Sequence, residues 1–182
     1  TRSLRSGPDP EQFILAASGN PLYVANEDDS QVTIIDIEKN KVLAEVPVGV
    51  EPEGMGLSPD GKVLVNTSET TNMAHFIDTK TFAVIDNVLV DGRPRFAEFS
   101  GDGKMLWVSA EVGGTVSVID VATRKVVKKV TFKIPSVNDE QIQPVGVRIT
   151  KDGSKAFVAL GPANRVAVVN TKTYEVEKYL PV

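Results

Sequence analysis

The stretch Pro52–Val90, PEGMGLSPDGKVLVNTSETTNMAHFIDTKTFAVIDNVLV, reads as four short β-strands joined by tight turns. The expected strands are Glu53–Ser58, Lys62–Thr67, Ala74–Asp78 and Ala83–Val90. Pro59-Asp60-Gly61-Lys62 makes the first turn, with Asp-Gly as a strong two-residue hairpin signal. Asp78-Thr79-Lys80-Thr81 makes the last one, and Ser68–Asn72 links the middle pair.

Working outward, the same unit recurs along the chain. Pro10, Pro52 and Pro94 are spaced 42 apart, and Pro144 follows 50 later. Asp36, Asp78 and Asp120, then Asn170, keep that spacing, as do Gly19, Gly61, Gly103 and Gly153. Tyr23, Val65, Trp107 and Phe157 form a further column. All columns shift by eight at one place, so the third copy carries an insertion near 131–143. Strands such as KMLWVSA and RVAVVN are apolar on both faces, which suits a sheet buried between two others. A 42-residue unit of four antiparallel strands predicts an all-β fold, a β-propeller of about four blades. A solenoid or sandwich fits less well, because solenoid coils are usually shorter and lack the paired hairpin turns. The expected division is blades at 7–48, 49–90, 91–140 and 141–182, preceded by residues 1–6 as the outer strand of a further blade. The spare strand points to part of a longer propeller, with uncovered sheet faces that favour self-association.

Composition agrees. The 182 residues include 28 Val, and Gly and Pro punctuate the chain often. A formal charge of −4 removes the general attraction to phosphate backbones, so nucleic acid is not an expected partner. No apolar run is long enough to span a membrane. There is no Cys, which excludes disulfides, thiolate metal sites and a Cys nucleophile, and His75 is the only histidine. The chain starts at Thr1 without a charged, apolar-cored leader, and so reads as processed or as a fragment.

Tyr23-Val24-Ala25-Asn26 followed by QVTIID, GTVSVIDVATRKVV and the SPDGK turn resemble the YVTN family of bacterial β-propeller repeats. SGPDPEQF, LVNTSETTNMAHFIDT, VDGRPRFAEFS and IQPVGVRITKDG with AFVALGPANRVAVVN narrow this further. They resemble the propellers associated with pyrroloquinoline quinone (PQQ)-dependent catabolism, and the resemblance covers essentially the whole chain. It implies an exported, periplasmic, seven-bladed propeller that works near quinoprotein alcohol dehydrogenases. No cofactor is expected in this chain itself; PQQ enzymes are the implied neighbours. The chain departs from that pattern in lacking an export signal and about three blades, and in having Ser18-Gly19 in place of Asp-Gly.

Meander topology places the stereotyped SPDGK and DTKT turns on one rim and the irregular loops on the other, where function usually sits in such scaffolds. Glu51 and Glu53 stand where the next blade has Arg93 and Arg95, a pattern for an ion-pair belt or a charged mouth. Glu98 and Arg148 match on innermost strands, which favours a salt bridge. Glu69 in SETTN and Asn164 in GPANR are further rim candidates. Asn66 and His75 replace apolar or small residues and sum to 141, the constant of a hairpin centred on Thr70-Thr71, so they should face each other and share a hydrogen bond. They read either as a structural polar pair or as a binding site in which His75 titrates or takes a ligand through the SETTN loop. The acidic run Asn26–Ser30 lacks EF-hand spacing and reads as a solvated tip, so no metal site is expected. Trp107 reads as core. No phosphate loop or nucleophile elbow occurs, and no catalytic residues are expected. The leading reading is a non-enzymatic binding or scaffold propeller, taking a protein partner or small polar ligand. The competing readings are an enzymatic propeller, lactonase-like or haem- or quinone-binding, and a surface-layer-type repeat. The insertion around Lys133–Gln143 is expected to project from the irregular rim and to contact a partner.

Overall fold

A computed structural model describes residues 3–182. They form four antiparallel four-stranded meanders. The first is β1 (Pro10–Leu15), β2 (Leu22–Asn26), β3 (Gln31–Asp36) and β4 (Lys41–Pro47). The second is β5 (Pro52–Leu57), β6 (Val63–Ser68), β7 (Met73–Asp78) and β8 (Val84–Leu89). The third is β9 (Pro94–Phe99), β10 (Met105–Ala110), β11 (Thr115–Asp120) and β12 (Lys125–Thr131). The fourth is β13 (Pro144–Ile149), β14 (Lys155–Leu160), β15 (Arg165–Asn170) and β16 (Val176–Pro181). Each strand of the second blade lies within a residue or two of its expected start. Among the described residues, no helix is long and apolar enough to cross a membrane.

The turns form for the reasons their residues announce. In Ser58–Lys62, Gly61 takes a φ of +71°, and the Asp60 carboxylate accepts from the Ser58 hydroxyl and the Lys62 N–H. The same lock recurs at Asp102 and Asp152. These bonds hold the Asp60 and Asp152 carboxyls down at about 2.

The core lies between sheets. Tyr23, Val32 and Ile34 of the first blade meet Met55, Leu64 and Ile77 of the second. Val65 and Phe76 meet Ala97, Leu106 and Val108. Trp107 and Val118 meet Val147, Ala156 and Val158. The innermost strand β5 packs on both β1 and β9, and β9 on β13. No comparable packing joins β13 to β1 among the described residues, so the blades make an open arc.

Close approach of inner strands depends on missing side chains. A Cβ on Gly54 would stand 2.7 Å from the Arg95 carbonyl oxygen, and one on Gly56 2.8 Å from that of Ala97. Gln12 uses the space, donating to the Arg95 carbonyl at 3.3 Å and accepting from the Met55 N–H at 3.3 Å. It thereby ties β1, β5 and β9 together.

Residues 3–6 form no strand of their own. They run along the outer face of the first blade. Gly7 donates to the Asn26 side chain at 2.9 Å, and Ser3 and Arg5 lie beside Ile35 and Val42. Residues 1 and 2, also in the expected leading strand, lie outside the described residues. The insertion folds back rather than projecting. Phe132 and Ile142 are buried, Ile134 and Val137 pack against the same cluster, and the Lys133 N–H donates to the Tyr179 hydroxyl. Its apolar residues take it into the junction of the third and fourth blades. A 3-10 turn at Asp139–Gln141 is its only regular element.

Candidate functional site

The irregular rim gathers charge at the inner ends of the first three blades. Glu69 is its hub. The β6–β7 loop brings this nearly buried carboxylate under β9, where Arg93 Nε bonds it at 2.7 Å and Arg95 bonds its other oxygen. Arg95 also reaches Glu53 at 3.2 Å, and Glu111 lies 3.5 Å from Arg93 and 3.7 Å from Arg95. Glu51 belongs to the belt only at longer range: it adds to the field on Arg93 without a close ion pair, and its carboxylate accepts from the Thr70 hydroxyl.

Burial dominates the state of Glu53. Desolvation pushes its carboxyl up to about 7 despite Arg95, and the neighbouring carboxylates Glu11, Glu69 and Glu27 add to the rise. Desolvation likewise raises Glu27, with further help from Glu11, Asp9 and Glu51.

These residues are repeats of one another. Asp9, Glu11 and Glu27 of the first blade match Glu51, Glu53 and Glu69 of the second and Arg93, Arg95 and Glu111 of the third. The second triad therefore receives two guanidiniums from the next blade, while the first receives two more carboxylates. Carboxylate oxygens of Asp9, Glu11 and Glu27 lie within 4.8 Å of one another, close enough to hold a cation. Three oxygens fall short of the six to eight that Ca²⁺ takes, so water or a ligand would complete the shell. The sequence reading did not single out Asp9, Glu11 or Glu111, and took Glu27 as part of a solvated tip. The 42-residue column Glu27, Glu69, Glu111 was the signal that could have found the hub.

On the inner strands, Arg148 bonds Glu98 at 2.5 Å and lies 4.9 Å over the Phe96 ring. Burial raises Glu98, and Arg148 opposes the rise. Asn164 stands apart as an exposed turn residue with a φ of +50°, its carbonyl accepting from the Arg165 side chain and the Val182 N–H.

Asn66 and His75 pair across β6 and β7 as expected, in a rung that runs Met55, Asn66, His75, Asn87. They do not share the expected hydrogen bond: each bonds a backbone group instead, and Asn66 Oδ1 is left buried without a partner among the described residues. Asn66 Nδ2 donates to the Gly54 carbonyl at 3.2 Å and contacts the Met55 sulfur. His75 Nε2 accepts from the Gly49 N–H at 3.0 Å and lies 3.0 Å from the Ser68 hydroxyl, while Nδ1 lies 2.6 Å from Asn87 Oδ1. An acceptor at Nε2 requires the proton on Nδ1, donated to Asn87. Burial lowers the His75 pKa, with the Asn87 bond opposing. Ser68, His75 and Asn87 are thus linked in the order of a hydrolase triad. Ser68 is fully buried, however, and Nε2 is already occupied, so the array clamps the crossover at Gly49 to the second blade.

No family model and no curated protein matches the sequence. Solved structures do match. The hydrazine synthase of Kuenenia stuttgartiensis aligns with 100% of this chain and 51% of its own, at a TM-score of 0.88 and 23% identity. The β-propeller domain of Myceliophteria thermophila Cps50 (Swd1) aligns with 100% of this chain and 57% of its own, at 0.82 and 16% identity. The chain is a β-propeller. Dihydro-heme d1 dehydrogenase NirN in complex with DHE aligns at 0.79 and 18% identity, over 98% of this propeller and 39% of that protein. The propeller described here spans about half the length of the first two.

Proposed function

We propose that this propeller is a non-enzymatic binding module whose irregular rim takes a cationic group of a partner. One observation supports the reading most. The second blade's carboxylate triad is met by Arg93 and Arg95, whereas the equivalent triad Asp9, Glu11 and Glu27 faces Glu51 and Glu53. Within the molecule, the way this rim settles such a triad is with guanidinium, which forks onto carboxylates better than a point charge does. A partner's arginine supplies the same chemistry to the first blade. Its docking is electrostatic, and so weakens with salt.

The test is a calorimetric titration with a short Gly-Arg repeat peptide at low ionic strength. Binding is expected for the native chain, reduced in a Glu11→Gln/Glu27→Gln variant and lost in high salt. Binding unchanged in that variant would overturn the reading.

For its setting we propose the periplasm and PQQ-dependent alcohol oxidation. This rests on the resemblance carried by SGPDPEQF and LVNTSETTNMAHFIDT. Deleting the protein is expected to lower quinoprotein alcohol dehydrogenase activity in intact cells; unchanged activity would remove that setting.

A further inference from the structure

The opposite rim, built from stereotyped turns, is closed at one blade junction and open at the next. Between the second and third blades, Pro59 sits over the following turn, and a Cβ on Gly103 would meet the Pro59 ring at 3.4 Å. One repeat later Gly101 replaces that proline, and a Cβ on Gly153 would meet nothing within 4 Å. The space left is a cavity of about 490 Å³ between the turns of the third and fourth blades. That lies within the roughly 300–1,000 Å³ of small-molecule sites.

Its walls have two characters. Met105, Trp107 and Ile149 give it an apolar floor. Asp102 and Asp152 stand at the lip, and Lys151 is the third charge there. Each aspartate spends Oδ1 on locking its own turn. These bonds lower both carboxyls, so they are ionised at neutral pH. Asp102 Oδ2 has only Lys104 Nζ, at 3.7 Å. The aspartates are therefore held in place before any ligand arrives, which reduces the ordering cost of binding.

We propose that this cavity is a binding site for a small organic ammonium compound, an apolar body carrying a primary amine. The body lies on Met105, Trp107 and Ile149, and the ammonium takes the place of Lys104 at Oδ2 of Asp102, with Asp152 across the lip. Lys104 and Lys151 balance the two carboxylates in net charge, so recognition rests on the ammonium displacing Lys104 from Asp102 and on Asp152 across the lip. The site is separate from the charged rim, since it lies at the other ends of the blades.

Trp107 is the single tryptophan, so emission excited at the red edge of indole absorbance reports on this floor alone. Phenethylamine is the probe, and 3-phenylpropanoate, a similar body with the opposite charge, is the control. A saturable change in Trp107 emission is expected with phenethylamine, with the control weaker by about tenfold or more. Gly101→Pro copies the residue of the preceding blade, should fold normally by circular dichroism, and is expected to abolish the response. Asp102→Asn keeps the shape and the turn-locking oxygen, and is expected to weaken binding about fivefold or more. Lys151→Gln is expected to tighten it. Absence of a saturable response, an equal response to the control, or full binding in the Gly101→Pro or Asp102→Asn protein would each overturn the proposal.

Discussion

The second and fourth blades are built from the same columns, yet their corresponding residues live in different surroundings. Gly54 and Gly146 are equivalents on β5 and β13. A Cβ on Gly54 would collide with the backbone of β9 and with Thr67, whereas one on Gly146 meets nothing within 4 Å. Val65 and Phe157 are equivalents on β6 and β14; the first is fully buried and the second is 36% exposed. The difference is the presence of a following blade. What a repeat position does is therefore set by its neighbour as much as by its own residue.

The largest expected effect is at the glycine pair. Gly54→Ala forces a methyl against backbone that cannot rotate away, and should cost about 3 kcal/mol. Gly146→Ala should change stability by less than about 0.5 kcal/mol. Urea denaturation of the two variants gives the contrast directly, and equal losses would break it.

Next is the arginine that joins the second blade to the third. Arg95→Ala leaves Glu69 and Glu53 short of their shared cation in a mostly buried place, at a cost of about 2–3 kcal/mol by denaturant midpoint. Glu11→Ala in the first blade relieves repulsion and should leave stability unchanged or slightly raised. A loss as large as that of Arg95→Ala would show that the first triad is already paired.

Glu53 sharpens the same contrast through pH. Its value of about 7 lies above the 4.5 of an unperturbed glutamate, so the native state holds the proton more tightly. Glu53 then contributes nothing below about 4.5, where both states are protonated, and stability falls as pH rises through the window up to about 7. Glu53→Gln should remove that part of the slope and gain about 1–2 kcal/mol at alkaline pH. A slope unchanged in the variant would assign the titration elsewhere.

The smallest effect on stability is at the open end. Phe157→Ser should move the unfolding midpoint little, because its side chain is only partly buried. It should still reduce self-association by light scattering, since burial of that face stabilises contact by about 25 cal/mol per Å². Undiminished association would place the contact on another surface.

Much of the fold was legible because it rests on spacing. The columns at 42 and 50, the Asp-Gly turns and the sum of 141 for Asn66 and His75 all describe pairing within one sheet, which chain distance and turn geometry dictate. The charged candidates were legible as positions but not as partners. Glu53 and Arg95 do meet, yet both arginines converge on Glu69, and Glu51 turns to Thr70. Those choices depend on how far one sheet stands from the next. The insertion was misread for a related reason. Its prolines and polar residues look like a surface loop, but Phe132 and Ile142 find an apolar junction between blades that no local pattern reveals.

By itself, then, the sequence determined the strands, their turns, the repeat and which residues share a rung of a blade. Each of these follows from interactions between residues close along the chain, where backbone geometry leaves few alternatives. Only the tertiary structure decided the hub at Glu69, the unmatched triad at Asp9, Glu11 and Glu27, the clamp from His75 to Gly49 and the cavity beside Gly101. These arise where two blades or their connecting segments come together, and there charge, burial and empty space belong to the pair of surfaces and to neither one alone.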